Sequence, residues 1–260
     1  AIMRNLSSNG YKAIYFADRK HLDLLNQQSV DRWFKENEID VVVDAAAKVG
    51  GIQANSKFGA DFIIQNLKIQ TNVIEAAWEN NVKRLLFLGS SCIYPRDSVQ
   101  PIKEEYLLSN KLEATNEAYA IAKIAGLKLC ENLNIQYDFD AITLMPTNLY
   151  GPGDNYHSEN SHVMAALIKK FAEAVHLKKK KVICWGSGIP LREFLHVDDL
   201  GSAAVFALEN WNPKTEYSPK DHLGNKLFFL NIGTGKDISI KELALKIAKI
   251  AGFKGDIIWD

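Results

Sequence analysis

Short apolar runs alternate along this chain with longer amphipathic stretches, and the alternation persists from one end to the other. Leu85-Leu86-Phe87-Leu88 and Ala141-Ile142-Thr143-Leu144 are nearly continuous apolar runs, the pattern of strands covered on both faces. Lys12-Ala13-Ile14-Tyr15-Phe16, Ile39-Asp40-Val41-Val42-Val43, Val182-Ile183-Cys184-Trp185 and residues 227–232 predict further strands. Between them, residues 62–80 set Ile63, Leu67, Ile69, Val73, Ala76 and Ala77 at helical spacing. Helices are also predicted over residues 31–37, 113–133 and 163–174, and from Glu193 through residue 208. A last helix is predicted over 241–250 behind Ser239 as N-cap, and the opening Ala1-Ile2-Met3-Arg4-Asn5-Leu6 reads as a helix end stopped by Asn9-Gly10. Strands that alternate with helices imply an α/β fold, a Rossmann-like doubly wound parallel sheet.

The Pro- and Gly-rich exit Met145-Pro146-Thr147-Asn148-Leu149-Tyr150-Gly151-Pro152-Gly153-Asp154 marks a shift in composition. It divides the chain into a dinucleotide-type domain, 1–150, and a smaller C-terminal domain, 151–260, with parts of 194–238 expected to return to the first sheet. A doubly wound nucleotide domain opens with a strand and a Gly-rich turn, and no G-x-x-G-x-x-G or G-x-G-x-x-G occurs among the 260 residues. The chain is therefore expected to begin inside the first helix, without the first strand and Gly-rich loop. In the strand order 3-2-1-4-5-6, residues 12–16 and 40–43 are then expected to be neighbours. The end of the latter at Val43 is expected to stand a strand's width or more from residues 85–88.

Composition narrows the class only by exclusion. Lys plus Arg equals Asp plus Glu at 31 each, so nothing favours nucleic acid or an anionic membrane as a partner. The single basic cluster, Lys178-Lys179-Lys180-Lys181, precedes a strand and reads as a solvated turn. Cys92, Cys130 and Cys184 are widely spaced and odd in number, which fits neither a metal site nor a disulfide framework and points to a reducing, cytoplasmic setting. No stretch approaches the roughly 20 apolar residues of a membrane span.

Chemistry gathers between residues 89 and 123. The strand run ends in Gly89-Ser90-Ser91-Cys92, which puts hydroxyls and a thiol at the carboxyl end of a strand, where open α/β sheets bind ligands. Tyr119-Ala120-Ile121-Ala122-Lys123 follows in a helix rich in small residues, and the four-residue spacing sets a phenol and an ammonium on one face. A phenol beside a cation suits proton transfer. The spacing alone is weak, because a surface helix carries such pairs by chance; its place after a strand ending in Ser-Ser-Cys gives it weight. Asp18 and Arg19 end the second predicted strand, where an acid favours NAD and an Arg the 2′-phosphate of NADP, so the local signal is ambiguous.

The combination of Ser90, Tyr119 and Lys123 resembles the extended short-chain dehydrogenase/reductase superfamily, whose active site is a Ser/Thr, Tyr and Lys triad. Four longer strings are similar to the GDP-L-fucose synthase family: Ala45-Ala46-Ala47-Lys48-Val49-Gly50-Gly51-Ile52, Leu88-Gly89-Ser90-Ser91-Cys92-Ile93-Tyr94-Pro95, Pro146-Thr147-Asn148-Leu149-Tyr150-Gly151-Pro152, and Trp185-Gly186-Ser187-Gly188 with Arg192-Glu193-Phe194-Leu195-His196-Val197-Asp198-Asp199. The resemblance covers essentially the whole chain. It implies a homodimeric enzyme that converts GDP-4-dehydro-6-deoxy-D-mannose to GDP-L-fucose, epimerising carbons 3 and 5 and reducing the ketone at carbon 4 with NADPH. It further implies Cys92 as base, His162 as acid, and Ser90, Tyr119 and Lys123 as the reducing triad. Cofactor contacts carry over to Arg19, Leu88, Gly89, Ser90, Ser91, Lys123, Pro146, Thr147, Asn148, Leu149 and His162. Substrate contacts carry over to Lys170, Trp185 and Arg192, whose fork suits a diphosphate. Against the family pattern the Gly-rich loop and a closing segment after Ile257-Ile258-Trp259-Asp260 are missing, so the activity is inferred for the parent enzyme.

Three rival functions share this fold. A 4,6-dehydratase calls for an acidic pair near the catalytic hydroxyl, where this chain has Ser91-Cys92, and a 4-epimerase needs neither Cys92 nor His162. A non-catalytic dinucleotide-binding protein has no use for the general acid that Tyr119 supplies.

Overall fold

The computed structural model describes residues 1–157 and 161–260. In chain order its elements are α1 (Ile2–Ser8), α2 (Gln27–Glu36), β1 (Val41–Asp44), α3 (Ile52–Lys57), α4 (Gly59–Glu79), β2 (Arg84–Leu88), α5 (Glu117–Tyr137), β3 (Ala141–Pro146) and β4 (Asn148–Tyr150). They continue with α6 (Val163–His176), β5 (Lys181–Cys184), β6 (Leu191–His196), α7 (Val197–Asn210), β7 (Phe229–Ile232), β8 (Asp237–Ser239), α8 (Ile240–Ala251) and β9 (Asp256–Trp259). They divide into two compact units, Ala1–Thr147 with Val197–Ile232, and Asn148–His196 with Gly233–Asp260.

The first unit is a parallel sheet in the order β1-β2-β3-β7 with helices on both faces. Period-two alternation explains both coverings. Leu85 and Phe87 face a core with Val30, Phe34, Ile74, Ala77 and Leu133 from α2, α4 and α5. Leu86, Ile142 and Leu144 face the other way, onto Ala204, Ala207 and Trp211 of and beside α7. Close approach on the first face needs a small residue: a Cβ on Gly126 of α5 would stand 2.7 Å from the Phe87 ring and 2.8 Å from the Gln70 amide carbon. Arg84 fastens the opposite end of β2. Its guanidinium donates to Asp140 at 2.8 and 3.2 Å, and to the carbonyl oxygens of Leu208 and Trp211 at 2.5 and 2.8 Å.

The second unit holds β4, β6 and β8 in one sheet and β5 beside β9 in another. Leu167 and Phe171 of α6 pack with Leu243 and Ala244 of α8 over Val182 and Cys184. Ser239 does cap α8, in a reciprocal capping box with Glu242.

Three sequence expectations need correction. Residues 12–16 form no strand; Tyr15 and Phe16 are 64% and 74% exposed, and no ladder partner for them exists among the described residues. Nor is β1 separated from β2: Val43 lies in direct register with Leu86 and Asp44 with Phe87. The run at 41–44 is thus the strand immediately before β2, joined to it through α4, rather than a third strand beyond the second. Apolar periodicity identifies a strand but not its neighbour, and a strand without a neighbour has nothing to satisfy its backbone. Finally, the helix predicted from Glu193 through residue 208 begins only at Val197, as α7; Glu193 to His196 belong to β6, parallel to β4 and antiparallel to β8.

Candidate active site

β2 ends at Leu88, and the chain turns at Ser90 into a single turn of 3-10 helix, Ser91–Ile93. Ser90 caps that turn, its Oγ accepting from the Cys92 N–H at 3.5 Å. The turn thereby holds the Ser90 hydroxyl and the half-buried Cys92 thiol at the strand's carboxyl end.

α5 begins at Glu117, so Tyr119 lies in its first turn and Lys123 one turn further on. The Tyr119 ring meets Phe62 edge-on, with centroids 6.3 Å apart. Lys123 is only 3% exposed; its Nζ donates to the Leu88 carbonyl oxygen at 2.8 Å and stands 4.5 Å from the Phe87 ring centroid. Helix and strand are thus tied at the point where the candidate chemistry lies.

Burial sets the electrostatics. It pushes the Tyr119 phenol well above its ordinary value, an effect the Cys92 charge reinforces and a hydrogen bond with Ser90 opposes. The Cys92 thiol is pushed up to about 11 by burial, while Ser90 and the Lys123 ammonium pull it down. Burial lowers Lys123, and the charges of Asp44, Cys92 and Cys130 oppose that loss. Cys92 links the group: it feels Ser90 and Lys123, and Tyr119 and Lys123 both feel its charge.

The other candidates distribute as follows. Gly89 is buried and donates its N–H to the Leu144 carbonyl oxygen at 2.9 Å; Ser91 opens the 3-10 turn. Pro146 closes β3, and Thr147 donates its N–H to Ile232 at 3.1 Å while its Oγ1 is buried with no partner among the described residues. Arg19 sits exposed in the loop after residues 12–16, outside the cluster around Lys123. In the second unit, Asn148 and Leu149 lie in β4, and Asn148 donates to the Glu193 carbonyl oxygen at 2.9 Å. His162 is the exposed residue before α6. Lys170 lies 5.2 Å from the Trp185 ring centroid and donates to the Ile183 carbonyl oxygen at 2.7 Å, and Trp185 is 63% exposed. Arg192, in β6, is exposed and donates to the Leu191 carbonyl oxygen.

Sequence reasoning passed over Asp44. It is 3% exposed at the end of β1, with Oδ1 accepting from the Ala46 N–H at 3.1 Å, and burial raises its carboxyl to about 6. The available signal was a lone acid closing an otherwise all-valine strand, Val41-Val42-Val43-Asp44.

A nicotinamide nucleotide fits the donors found here. Lys123 has ammonium protons beyond the one given to Leu88, and the orphaned Thr147 hydroxyl lies just past the carboxyl end of β3. Both suit ribose hydroxyl and carboxamide groups.

A parallel doubly wound sheet, with a serine after one strand and a Tyr and Lys one turn apart on the next helix, defines a short-chain dehydrogenase/reductase site of the extended type. Residues 1–218 match the model of the "NAD dependent epimerase/dehydratase family", and the chain belongs to that family. It is 51% identical over 261 residues to "Probable GDP-L-fucose synthase 1" of Oryza sativa subsp. japonica, spanning 100% of this chain and 76% of that relative. It is 49% identical over 264 residues to the "GDP-L-fucose synthase" of Escherichia coli (strain K12), spanning 100% of this chain and 80% of that one. Among solved structures, a GDP-mannoheptose C4 reductase from Campylobacter jejuni with NADP bound matches with a TM-score of 0.88 at 38% identity, covering 100% of this chain and 83% of that one.

Proposed function

We propose that this chain carries the activity of a GDP-L-fucose synthase: 3,5-epimerisation of GDP-4-dehydro-6-deoxy-D-mannose followed by NADPH-dependent reduction at carbon 4. The observation that carries this is the gathering of Ser90, Cys92, Tyr119 and Lys123 around the carboxyl end of β2, which supplies a thiol as well as the reducing triad. The identity of about half to the rice and E. coli synthases supports it.

Cys92 removes the protons next to the ketone and His162 returns protons to the opposite face; thiol and imidazole are both suited to moving protons near neutrality. Tyr119 stabilises the enolate and later protonates the carbonyl oxygen, and Ser90 donates a hydrogen bond to that oxygen. Lys123 donates to the nicotinamide ribose and favours the Tyr119 phenolate. The bound cofactor supplies the hydride. Arg19 pairs with the 2′-phosphate. Leu88, Gly89, Ser91, Pro146, Thr147, Asn148 and Leu149 are the remaining cofactor contacts in this reading, and Lys170, Trp185 and Arg192 take the GDP-sugar. An arginine fork on a diphosphate and a lysine held over an exposed indole are chemically apt for a nucleotide.

The enzyme is read as a cytoplasmic homodimer. Its cysteines are free, and no helix of the described residues is long and apolar enough to cross a membrane. Ile64 of α4 with Ile121 and Ile135 of α5 are more than 40% exposed on the paired helices, an apolar surface suited to a second copy. Sedimentation of a monomer at micromolar concentration would remove the dimer.

The activity is tested by incubating the chain with GDP-4-dehydro-6-deoxy-D-mannose and NADPH in deuterated water. Consumption of NADPH with deuterium at carbons 3 and 5 is expected. Reduction without deuterium incorporation would make it a simple 4-reductase.

A further inference from the structure

On the sheet face covered by α4 and α5, one row of side chains crosses three strands. Asp44 of β1 is in register with Phe87 of β2, and Phe87 with Thr143 of β3. Residues paired across a ladder project to the same face, so the acid stands beside the ring over which Lys123 Nζ sits at 4.5 Å.

The Asp44 carboxyl is poorly provided for. Oδ1 accepts one backbone N–H, while Oδ2 is buried with no hydrogen-bond partner among the described residues. A buried carboxylate in that condition is tolerated only beside a positive charge. The ammonium on this face is that of Lys123, itself almost wholly buried and holding one carbonyl oxygen. Each charge also answers the other's desolvation: Asp44 is the first influence opposing the loss of the Lys123 proton, and Lys123 the first pulling Asp44 down. The other titratable groups felt by Lys123 are Cys92, from the 3-10 turn, and Cys130, two turns along α5. Cys130 also feels Asp44, and Tyr119 lies one turn before Lys123 on the same helix. The polar groups from the flanking elements are neutral: Gln70 of α4, bonded to the Ala122 carbonyl oxygen at 2.6 Å, and the Thr143 hydroxyl of β3, which interacts with Cys130.

We infer that Asp44 is a positioning residue for the reduction: its carboxylate is the counter-ion that keeps Lys123 protonated and its ammonium fixed at the carboxyl end of β2. An aliphatic residue would satisfy the packing at the end of β1 without the cost of burying an acid. The role rests on the proposed part of Lys123 in ketone reduction, but the coupling of the two charges can be measured without any reaction.

Two measurements test it in the full chain. In Asp44→Asn, which preserves shape and removes charge, the high-pH limb of kcat for NADPH-dependent reduction is expected to move down by about one pH unit or more, with KM for the sugar nucleotide unchanged. Carbon-13 NMR of the Asp44 carboxyl, comparing the unaltered chain with Lys123→Met, is expected to show its midpoint rising when the ammonium is removed. That comparison stands even if Asp44→Asn fails to fold. An unmoved pH limb, or an Asp44 midpoint indifferent to Lys123, overturns the counter-ion role while leaving the reductase activity in place. An unaltered chain that consumes no NADPH overturns the functional reading instead, and the NMR comparison still decides the pair.

Discussion

Lys123 Nζ donates to the carbonyl oxygen of Leu88 at 2.8 Å, joining the second turn of α5 to the last residue of β2. The bond consumes one ammonium proton and aims the others along the end of the strand. It also stations a charge that burial disfavours, so the lysine is held for chemistry at some expense to stability.

Lys123→Met separates those two effects. Loss of the ammonium is expected to lower the rate of ketone reduction about 100-fold or more. The melting temperature at neutral pH is expected to fall, because Asp44 is left buried without its counter-charge, and to recover as the pH is lowered and Asp44 takes up a proton. Single-turnover NADPH oxidation alongside thermal melts at several pH values checks it; a melting temperature unchanged by the substitution at neutral pH would show that Asp44 does not depend on the Lys123 charge.

Burial holds the Cys92 thiol at about 11, so near neutral pH it is almost entirely protonated. The thiolate fraction grows tenfold per pH unit below that value. Deuterium exchange at carbons 3 and 5 is therefore expected to rise steadily between about pH 6 and 9, and to be lost in Cys92→Ser while NADPH binding survives. Persistent exchange in the serine variant would take Cys92 out of the role of base.

For Asp44 the folded value is about 6 against an ordinary 3.8, so the native state binds its proton more tightly than the unfolded chain does. Stability attributable to this group is present at low pH and is lost as pH rises from about 4 to 6, by up to about 3 kcal/mol. The sign is opposite to that of the carboxyls of Asp18 and Glu105, which His21 and His222 hold low. Denaturant unfolding of the unaltered chain and Asp44→Asn at several pH values isolates it. The difference between the two should change across that window, and parallel curves would place the Asp44 carboxyl outside it.

Arg19 lies exposed, and its proposed pairing with a 2′-phosphate is a charge-assisted contact worth about 1.5–3 kcal/mol. Arg19→Ala should thus cost about 10- to 150-fold in NADPH affinity and leave NADH affinity unchanged. Equal use of NADH and NADPH by the unaltered chain would show that Arg19 does not read the phosphate.

The sequence by itself determined whatever is written into neighbouring residues. Strand–helix alternation follows from apolar periods of two and of about 3.6, and those periods located β2, β3, α4 and α5 to within a few residues. Ser239, as an N-cap residue, announced the start of α8. Ser90, Tyr119 and Lys123 were legible because a strand end and a one-turn helical spacing are local facts. Only tertiary structure decided which strand lies against which. Val41–Asp44 looked like the third strand of a longer series and proved to be the immediate neighbour of β2, and Lys12 to Phe16, apolar enough for a strand, found no ladder to join. Leu191–His196 likewise became a strand through β4 and β8 rather than through its own pattern. The meaning of Asp44 was hidden for the same reason. Its partner stands 79 positions further along the chain, and a register between β1 and β2 sets the acid beside the Phe87 ring that Lys123 covers. Pairing energy belongs to residues remote in sequence, and no local period carries it.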